Sequence, residues 1–134
     1  RESFFGGFEG DDNDTVWGKV SQSLGYKTVD EAIKNKESYK TVSDALAKVD
    51  SRGDAETFED VIKRVKAGIH KVYMNVEDKE ANVLIVTHGN VIRKMAHEIE
   101  PERNVGAEIG NGNLTAIVYD GENYNLEFFN KSSI

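Results

Sequence analysis

The chain has 134 residues, of which 38% are hydrophobic and 31% charged, as expected for one globular domain. It contains no cysteine, which excludes disulfides, thiolate metal sites and a thiol nucleophile, and no apolar run reaches the roughly 20 residues of a membrane helix. The net charge of −7 argues against nucleic acid as a partner, because phosphate backbones need clustered Lys and Arg. A small phosphorylated substrate remains compatible, since a local group of N–H donors can bind one phosphate.

The N-terminal half is predicted to be a tight loop followed by short helices. Residues 4–10 are rich in aromatic residues and glycine, which favours a loop. Residues 11–52 are polar with weak helical spacing, and Leu24-Gly25 has the form of a helix end with a glycine just beyond it. A further short helix is indicated by four apolar residues at helical spacing: Val42, Ala45, Leu46 and Val49.

A long amphipathic helix is predicted over 55–78. Its apolar residues form one stripe over about five turns, and Asp54 or Thr57 can supply the N-cap. The stripe consists of Phe58, Val61, Ile62, Val65, Ile69, Val72, Tyr73 and Val76.

The C-terminal half is predicted to alternate between strands and a helix. Residues 83–86 (Val-Leu-Ile-Val) are wholly apolar and mostly β-branched, typical of a strand buried on both faces in a parallel sheet. Helical spacing resumes over 90–99 and ends before Pro101. Strands are predicted at 114–119 and from Tyr124 to Phe128, joined by a turn at Asp120-Gly121.

This order of elements predicts an α/β domain. A strand buried on both faces needs neighbours on both sides, and open parallel sheets usually have about five or six strands. At least one or two strands are therefore missing from residues 1–134, which we interpret as a single incomplete domain. We expect the missing strands to precede Arg1.

His88 is the strongest candidate for a functional residue. It lies where a predicted strand ends and a helix begins, which is where α/β sheets bind ligands and where helix N–H groups attract anions. Gly89 would allow a ligand to approach the backbone closely. The alternative is a turn residue whose side chain is satisfied by the backbone. His70 and His97 are predicted to be surface or boundary residues, and the three histidines have no metal-ligand spacing.

Four blocks in this order resemble the histidine phosphatase superfamily, also called the phosphoglycerate mutase-like fold. The resemblance implies a three-layer α/β fold with a mostly parallel sheet flanked by helices. Residues 11–52 match least, and we expect them to be a helical insertion that covers the active site and sets specificity. The blocks are "RESFFGGFEG" (1–10), "GDAETFEDVIKRV" (53–65), "NVLIVTHGNVIR" (82–93) and "IGNGNLTAIVYDG" (109–121).

The resemblance also implies roles for individual residues. The family's second histidine, which binds and polarises the transferred phosphoryl group, falls on His88, and the following Gly89 and Asn90 would donate backbone N–H groups to substrate oxygens. The general acid of the phosphatase branch falls on Glu2. The glutamate of the block before the long helix falls on Glu56. The match is imperfect, because Asp54 and Ala55 stand between Gly53 and this glutamate.

One family motif has no counterpart here. The nucleophile of the family lies in an Arg-His-Gly motif, and no Arg-His pair occurs in residues 1–134. We therefore expect this chain to be inactive alone. The full-length protein is predicted to be a phosphatase that hydrolyses small phosphomonoesters through a phosphohistidine formed outside this chain.

Two alternatives stay open: phosphoglycerate mutase-type phosphotransfer, and a non-catalytic phosphate-binding or interaction module. Within the family, the segment Gly7-Phe8-Glu9-Gly10 favours the phosphatase branch. We expect no cofactor, no metal, no nucleic acid or membrane partner, and a cytoplasmic location. The partners that we expect are a small phosphorylated substrate and either a second copy or the missing N-terminal segment.

Overall fold

In a computed structural model that describes residues 1–35 and 37–133, the chain forms five α-helices and one β-hairpin. The described residues fall into two compact units, one of Ser3–Val61 and one of Arg1–Glu2 with Ile62 onward. The elements are α1 (Asn13–Ser23), α2 (Val29–Lys34), α3 (Tyr39–Val49), α4 (Phe58–Asn75), α5 (Gly89–Ile99), β1 (Leu114–Tyr119) and β2 (Tyr124–Lys131).

The helices of the unit Ser3–Val61 are started by short polar side chains. Asp12, Thr28 and Ser38 each accept a hydrogen bond from the backbone N–H three residues later, which satisfies an N–H group of the first turn. Helix α1 ends before Leu24, and Gly25 follows with φ +82°, as the sequence predicted. Three helices therefore lie within 11–52. That they cover an active site stays a prediction.

The core of this unit joins α1, α3 and the N-terminal loop. Residues Gly6–Phe8 form a single 3₁₀ turn within the loop predicted for 4–10. The side chain of Phe8 is buried with apolar residues of the two helices, and Trp17 packs against this group. The buried residues are Phe8, Val16, Val20, Val42, Ala45 and Leu46.

Helix α4 confirms the long helix of the sequence analysis but is shorter at both ends than 55–78. It begins at Phe58 because Thr57 is its N-cap: Thr57 Oγ1 accepts from Asp60 N (3.1 Å) and Asp60 Oδ2 accepts from Thr57 N (3.0 Å). Helix α5 begins one residue before the predicted 90–99 and ends at Ile99 as predicted.

The strand predicted over 83–86 is wrong for this structure. These residues form no strand, and their apolar side chains are exposed, Leu84 by 78% and Val86 by 88%. The physical reason is the lack of a partner: among residues 1–35 and 37–133, β1 and β2 are the only strands, and they pair with each other. A strand without a neighbour leaves its backbone N–H and C=O groups unpaired.

The sheet is a two-stranded antiparallel hairpin, so the structure does not show the mostly parallel sheet that was expected. Strand β1 has the predicted bounds, and β2 extends beyond Phe128 to Lys131. Tyr119 pairs with Tyr124 next to the turn, and the register shifts twice farther along the hairpin. In the part of the chain that the structure describes, no helix is long and apolar enough to cross a membrane.

Candidate active site

His88 occupies the N-cap position of α5, with φ −110° and ψ 154°. In the described part of the chain its side chain makes no capping hydrogen bond to the first turn of α5. The side chain is 56% exposed and remains accessible to a ligand. The position at the start of a helix was predicted correctly.

Glu2 lies beside His88. The two side chains approach to 3.7 Å between Oε2 of Glu2 and Nδ1 of His88, which makes an ion pair when the imidazole is protonated. The side chain of Glu2 is 32% exposed. The structure thus brings together, in the same compact unit, the two residues to which the family resemblance assigns catalysis. Their catalytic roles stay predictions.

Arg64 of α4 holds the backbone that carries Glu2. Its Nη2 donates to the carbonyl oxygen of Glu2 (2.9 Å) and its Nη1 donates to that of Arg1 (3.3 Å). Arg64 lies within one of the family-like blocks of the sequence, but no role was predicted for it. A charged residue on an amphipathic helix gives no sequence signal for a contact with a distant carbonyl.

Gly89 and Asn90 form the first turn of α5, beside His88. The first turn of an α-helix presents N–H groups without intrahelical acceptors and the positive end of the helix dipole, which together favour an anion. A Cβ at Gly89 would lie 3.4 Å from Cβ of Ile109, an ordinary contact, so packing does not require glycine there. That these N–H groups bind substrate is untested.

Glu56 has a structural role in the other unit. Its Oε2 accepts from Phe4 N (2.8 Å), and its own N–H donates to Phe4 O (2.9 Å), so one residue fixes both backbone polar groups of Phe4. The block before the long helix therefore fastens the loop that follows Glu2 in the sequence.

Asp50, which the sequence analysis did not single out, organises the same loop. Its carboxylate accepts four backbone N–H groups, from Gly7 and Arg52 on Oδ1 and from Asp54 and Ala55 on Oδ2. Burial is the largest single influence and would raise the pKa of Asp50, but the four N–H donors together outweigh it and lower this pKa to about 2. Asp50 is therefore a charged structural residue at neutral pH.

The other histidines have surroundings that differ from that of His88. His70 Nδ1 lies 2.7 Å from the hydroxyl of Tyr119, and its ring stacks on Tyr73. The ring of His97 is partly buried, and this burial lowers its pKa. Among residues 1–35 and 37–133, no group of three His, Asp or Glu side chains could hold a metal ion.

Comparisons with known proteins match nearly the whole chain. A sequence model of the histidine phosphatase superfamily (branch 1) matches residues 1–132. The crystal structure of phosphoglycerate mutase from Bacillus anthracis str. Sterne matches with a TM-score of 0.85 and 30% sequence identity over 98% of this chain. The chain spans 57% of that mutase chain. Curated protein sequences give no match.

Proposed function

This chain belongs to the histidine phosphatase superfamily, and from that premise we propose that the full-length protein hydrolyses small phosphomonoesters. In this proposal the phosphoryl group moves to a histidine nucleophile that lies outside residues 1–134. His88 polarises the phosphoryl group, while Gly89 and Asn90 donate backbone N–H groups to its oxygens. Glu2 protonates the leaving alkoxide.

The observation that carries the proposal is the proximity of Glu2 to His88. Phosphoryl transfer needs positive charge near the equatorial oxygens and an acid near the leaving oxygen. The first turn of α5 and the His88 imidazole, when it is protonated, supply the first requirement, and a carboxyl group within 3.7 Å of the imidazole supports the second. Because both side chains are partly exposed, a small ester can reach them.

Phosphotransfer of the mutase type is the second candidate, and the structural likeness to a phosphoglycerate mutase favours it. Both reactions share the transfer to histidine and differ in the acceptor of the second step, which is water in a phosphatase and a substrate hydroxyl in a mutase. The resemblance of residues 7–10 to the phosphatase branch makes hydrolysis our first choice.

The first experiment incubates the natural full-length protein with p-nitrophenyl phosphate and, separately, with phosphoglycerate. Release of inorganic phosphate from both supports hydrolysis. Movement of the phosphoryl group between hydroxyls of phosphoglycerate, without phosphate release, supports the mutase instead. A protein that does neither contradicts both reactions and favours the non-catalytic phosphate-binding module.

His88→Ala tests the assignment of the site. We expect a fall in kcat/KM of at least about a hundredfold, since a positioned group that stabilises transition-state charge contributes this much. His70→Ala is the matched control, because it removes a histidine from α4 that the proposal does not use. Turnover by pure 1–134 polypeptide would contradict the idea that the nucleophile lies outside this chain.

Partners and location follow as proposals. A small phosphorylated substrate is the principal ligand, no nucleic acid or membrane takes part, and the protein acts in the cytoplasm. The exposed apolar residues 83–86 support a further partner, which is either a second copy or a strand from the rest of the protein.

A further inference from the structure

The geometry points to Arg64 as the positioning residue that fixes the general acid Glu2 relative to His88, an inference that rests on the proposed function. Arg64 itself touches neither substrate nor reacting atoms in this scheme. It acts through the backbone of Glu2, because its guanidinium donates to the carbonyl oxygens of Arg1 and Glu2.

The two hydrogen bonds restrain the direction of the Glu2 side chain. A guanidinium is a planar fork, so two of its N–H groups can hold two successive carbonyls in one orientation. When the carbonyls on both sides of a Cα atom are fixed, that Cα and the direction of its Cβ bond are fixed as well. The carboxyl group of Glu2 then explores only the volume that its own side-chain torsions allow.

The source of the restraint is a regular helix. Arg64 lies in the second turn of α4, which is capped by Thr57 and extends to Asn75, and Ile62 of the same helix is buried. Arg64 therefore restrains the segment Arg1-Glu2, which has no regular secondary structure of its own, from a fixed position on the helix. Displacement of a catalytic group by about 1 Å can cost up to a hundredfold in rate.

The leaving group of the substrate provides the test. An alkyl phosphate such as glycerol 1-phosphate needs an acid to protonate its departing alkoxide, whereas p-nitrophenolate leaves without one. The ratio of kcat/KM for the two substrates therefore reports on the acid. This ratio is independent of the amount of folded enzyme, so a variant that merely folds poorly leaves it unchanged.

For the full-length protein, we expect Arg64→Gln to lower kcat/KM for glycerol 1-phosphate by about ten- to a hundredfold relative to p-nitrophenyl phosphate. Glu2→Gln should shift the ratio further in the same direction. Arg64→Lys should restore part of it, because one ammonium group can bind one of the two carbonyls. Lys63→Gln removes the same charge from the neighbouring, exposed residue of α4 and should leave the ratio unchanged.

The outcomes distinguish a failure of the positioning role of Arg64 from a failure of the proposed function. If Glu2→Gln shifts the ratio and Arg64→Gln does not, the positioning role is overturned and the proposed function stands. If Glu2→Gln does not shift the ratio in an active protein, Glu2 is not the acid and Arg64 has nothing to position. A wild-type protein that hydrolyses neither substrate overturns the proposed function and this inference together.

Discussion

Oε2 of Glu2 lies 3.7 Å from Nδ1 of His88, and neither side chain is buried. Exposed ion pairs of this kind typically contribute about 1 kcal/mol or less to stability, because water screens the charges and both side chains lose rotamer freedom. The proximity of the two groups is therefore poorly explained by stability. In the proposed reaction, both groups approach the same substrate.

Substitutions of this pair should affect activity far more than stability. We expect Glu2→Gln and His88→Asn each to lower kcat/KM for an alkyl phosphate by at least about a hundredfold. The double variant should lose much less than the product of the two factors, because groups that act in one transition state are not additive. Steady-state kinetics of the full-length wild type, the two single variants and the double variant measure this double-mutant cycle. Fully multiplicative losses would mean that the two residues act in separate steps.

Asp50 should make the stability of its unit depend on acid. Its pKa is lowered to about 2 in the folded chain, from an ordinary value near 3.8, so the folded state favours the charged form. The stabilisation is present above pH 4 and is lost as the pH falls through 2. We expect the melting temperature of the wild-type chain to fall over this window. Fluorescence of Trp17, the single tryptophan of the chain, follows the unfolding because this residue packs on the core of the same unit.

The variant Asp50→Asn distinguishes the contribution of Asp50 to the acid dependence of stability from the contributions of the other carboxylates. The amide NH₂ would face two of the four N–H donors, so we expect the melting temperature to be several degrees lower at pH 7. The decline between pH 4 and pH 2 should be shallower than in the wild type. Asp11→Asn makes the same chemical change at an exposed position and should leave the melting temperature at pH 7 nearly unchanged. An unaltered acid profile in Asp50→Asn would contradict the assignment.

The helices α4 and α5 and the end of α1 could be predicted because their signals lie within the segments themselves, whereas α2 was not predicted as a separate helix. Helix α4 has a continuous apolar stripe and Thr57 at its start, and α1 ends at Ser23, just before Leu24 and Gly25. These signals are local, so they act whether or not the rest of a domain is present. The hairpin was predictable for the same reason, since its two strands alternate and a turn joins them.

Residues 83–86 show where such prediction fails. Their composition is that of a buried strand, but burial and pairing depend on other strands, which residues 1–35 and 37–133 do not supply. The contacts of Asp50 and Arg64 were missed for a related reason. Arg64 binds the carbonyl of Glu2 and Asp50 binds the N–H of Gly7, which are both distant in the sequence, and a backbone carbonyl or N–H group has no residue type to recognise. Proximity of Glu2 to His88 could be expected only from the family resemblance.

The exposed apolar residues should make the 1–134 polypeptide associate with itself. Val83, Leu84, Ile85 and Val86 are each at least 50% exposed and adjacent in the chain, which is a patch that soluble proteins usually cover. We expect the apparent mass in light scattering to rise with protein concentration. Leu84→Lys with Val86→Lys should reduce this rise and leave the helical circular dichroism unchanged. Ile33→Lys, at an isolated exposed residue of α2, is the control that should have little effect. A wild-type polypeptide that stays monomeric at high concentration would refute the prediction.

Gly121 in the hairpin turn should tolerate substitution poorly. Its φ is +101°, and a Cβ there would lie 2.9 Å from Cε1 of Tyr73. The Tyr73 ring cannot easily move away, because its hydroxyl donates to the carbonyl oxygen of Asp120 (3.0 Å) and its edge packs on Tyr119. We therefore expect Gly121→Ala to lower the free energy of unfolding by about 2–4 kcal/mol, through backbone strain and overpacking together.

Gly112 offers the matched control that distinguishes backbone strain from overpacking. Its φ of +79° imposes a similar backbone strain, but a Cβ at this position would meet no atom within 4 Å. Gly112→Ala should therefore cost only about 1–2 kcal/mol, measured by urea denaturation under the same conditions. The difference between the two variants isolates the contact with Tyr73, and Tyr73→Ala should abolish most of that difference. Equal losses for the two glycine variants, with or without Tyr73, would show that strain alone governs both positions.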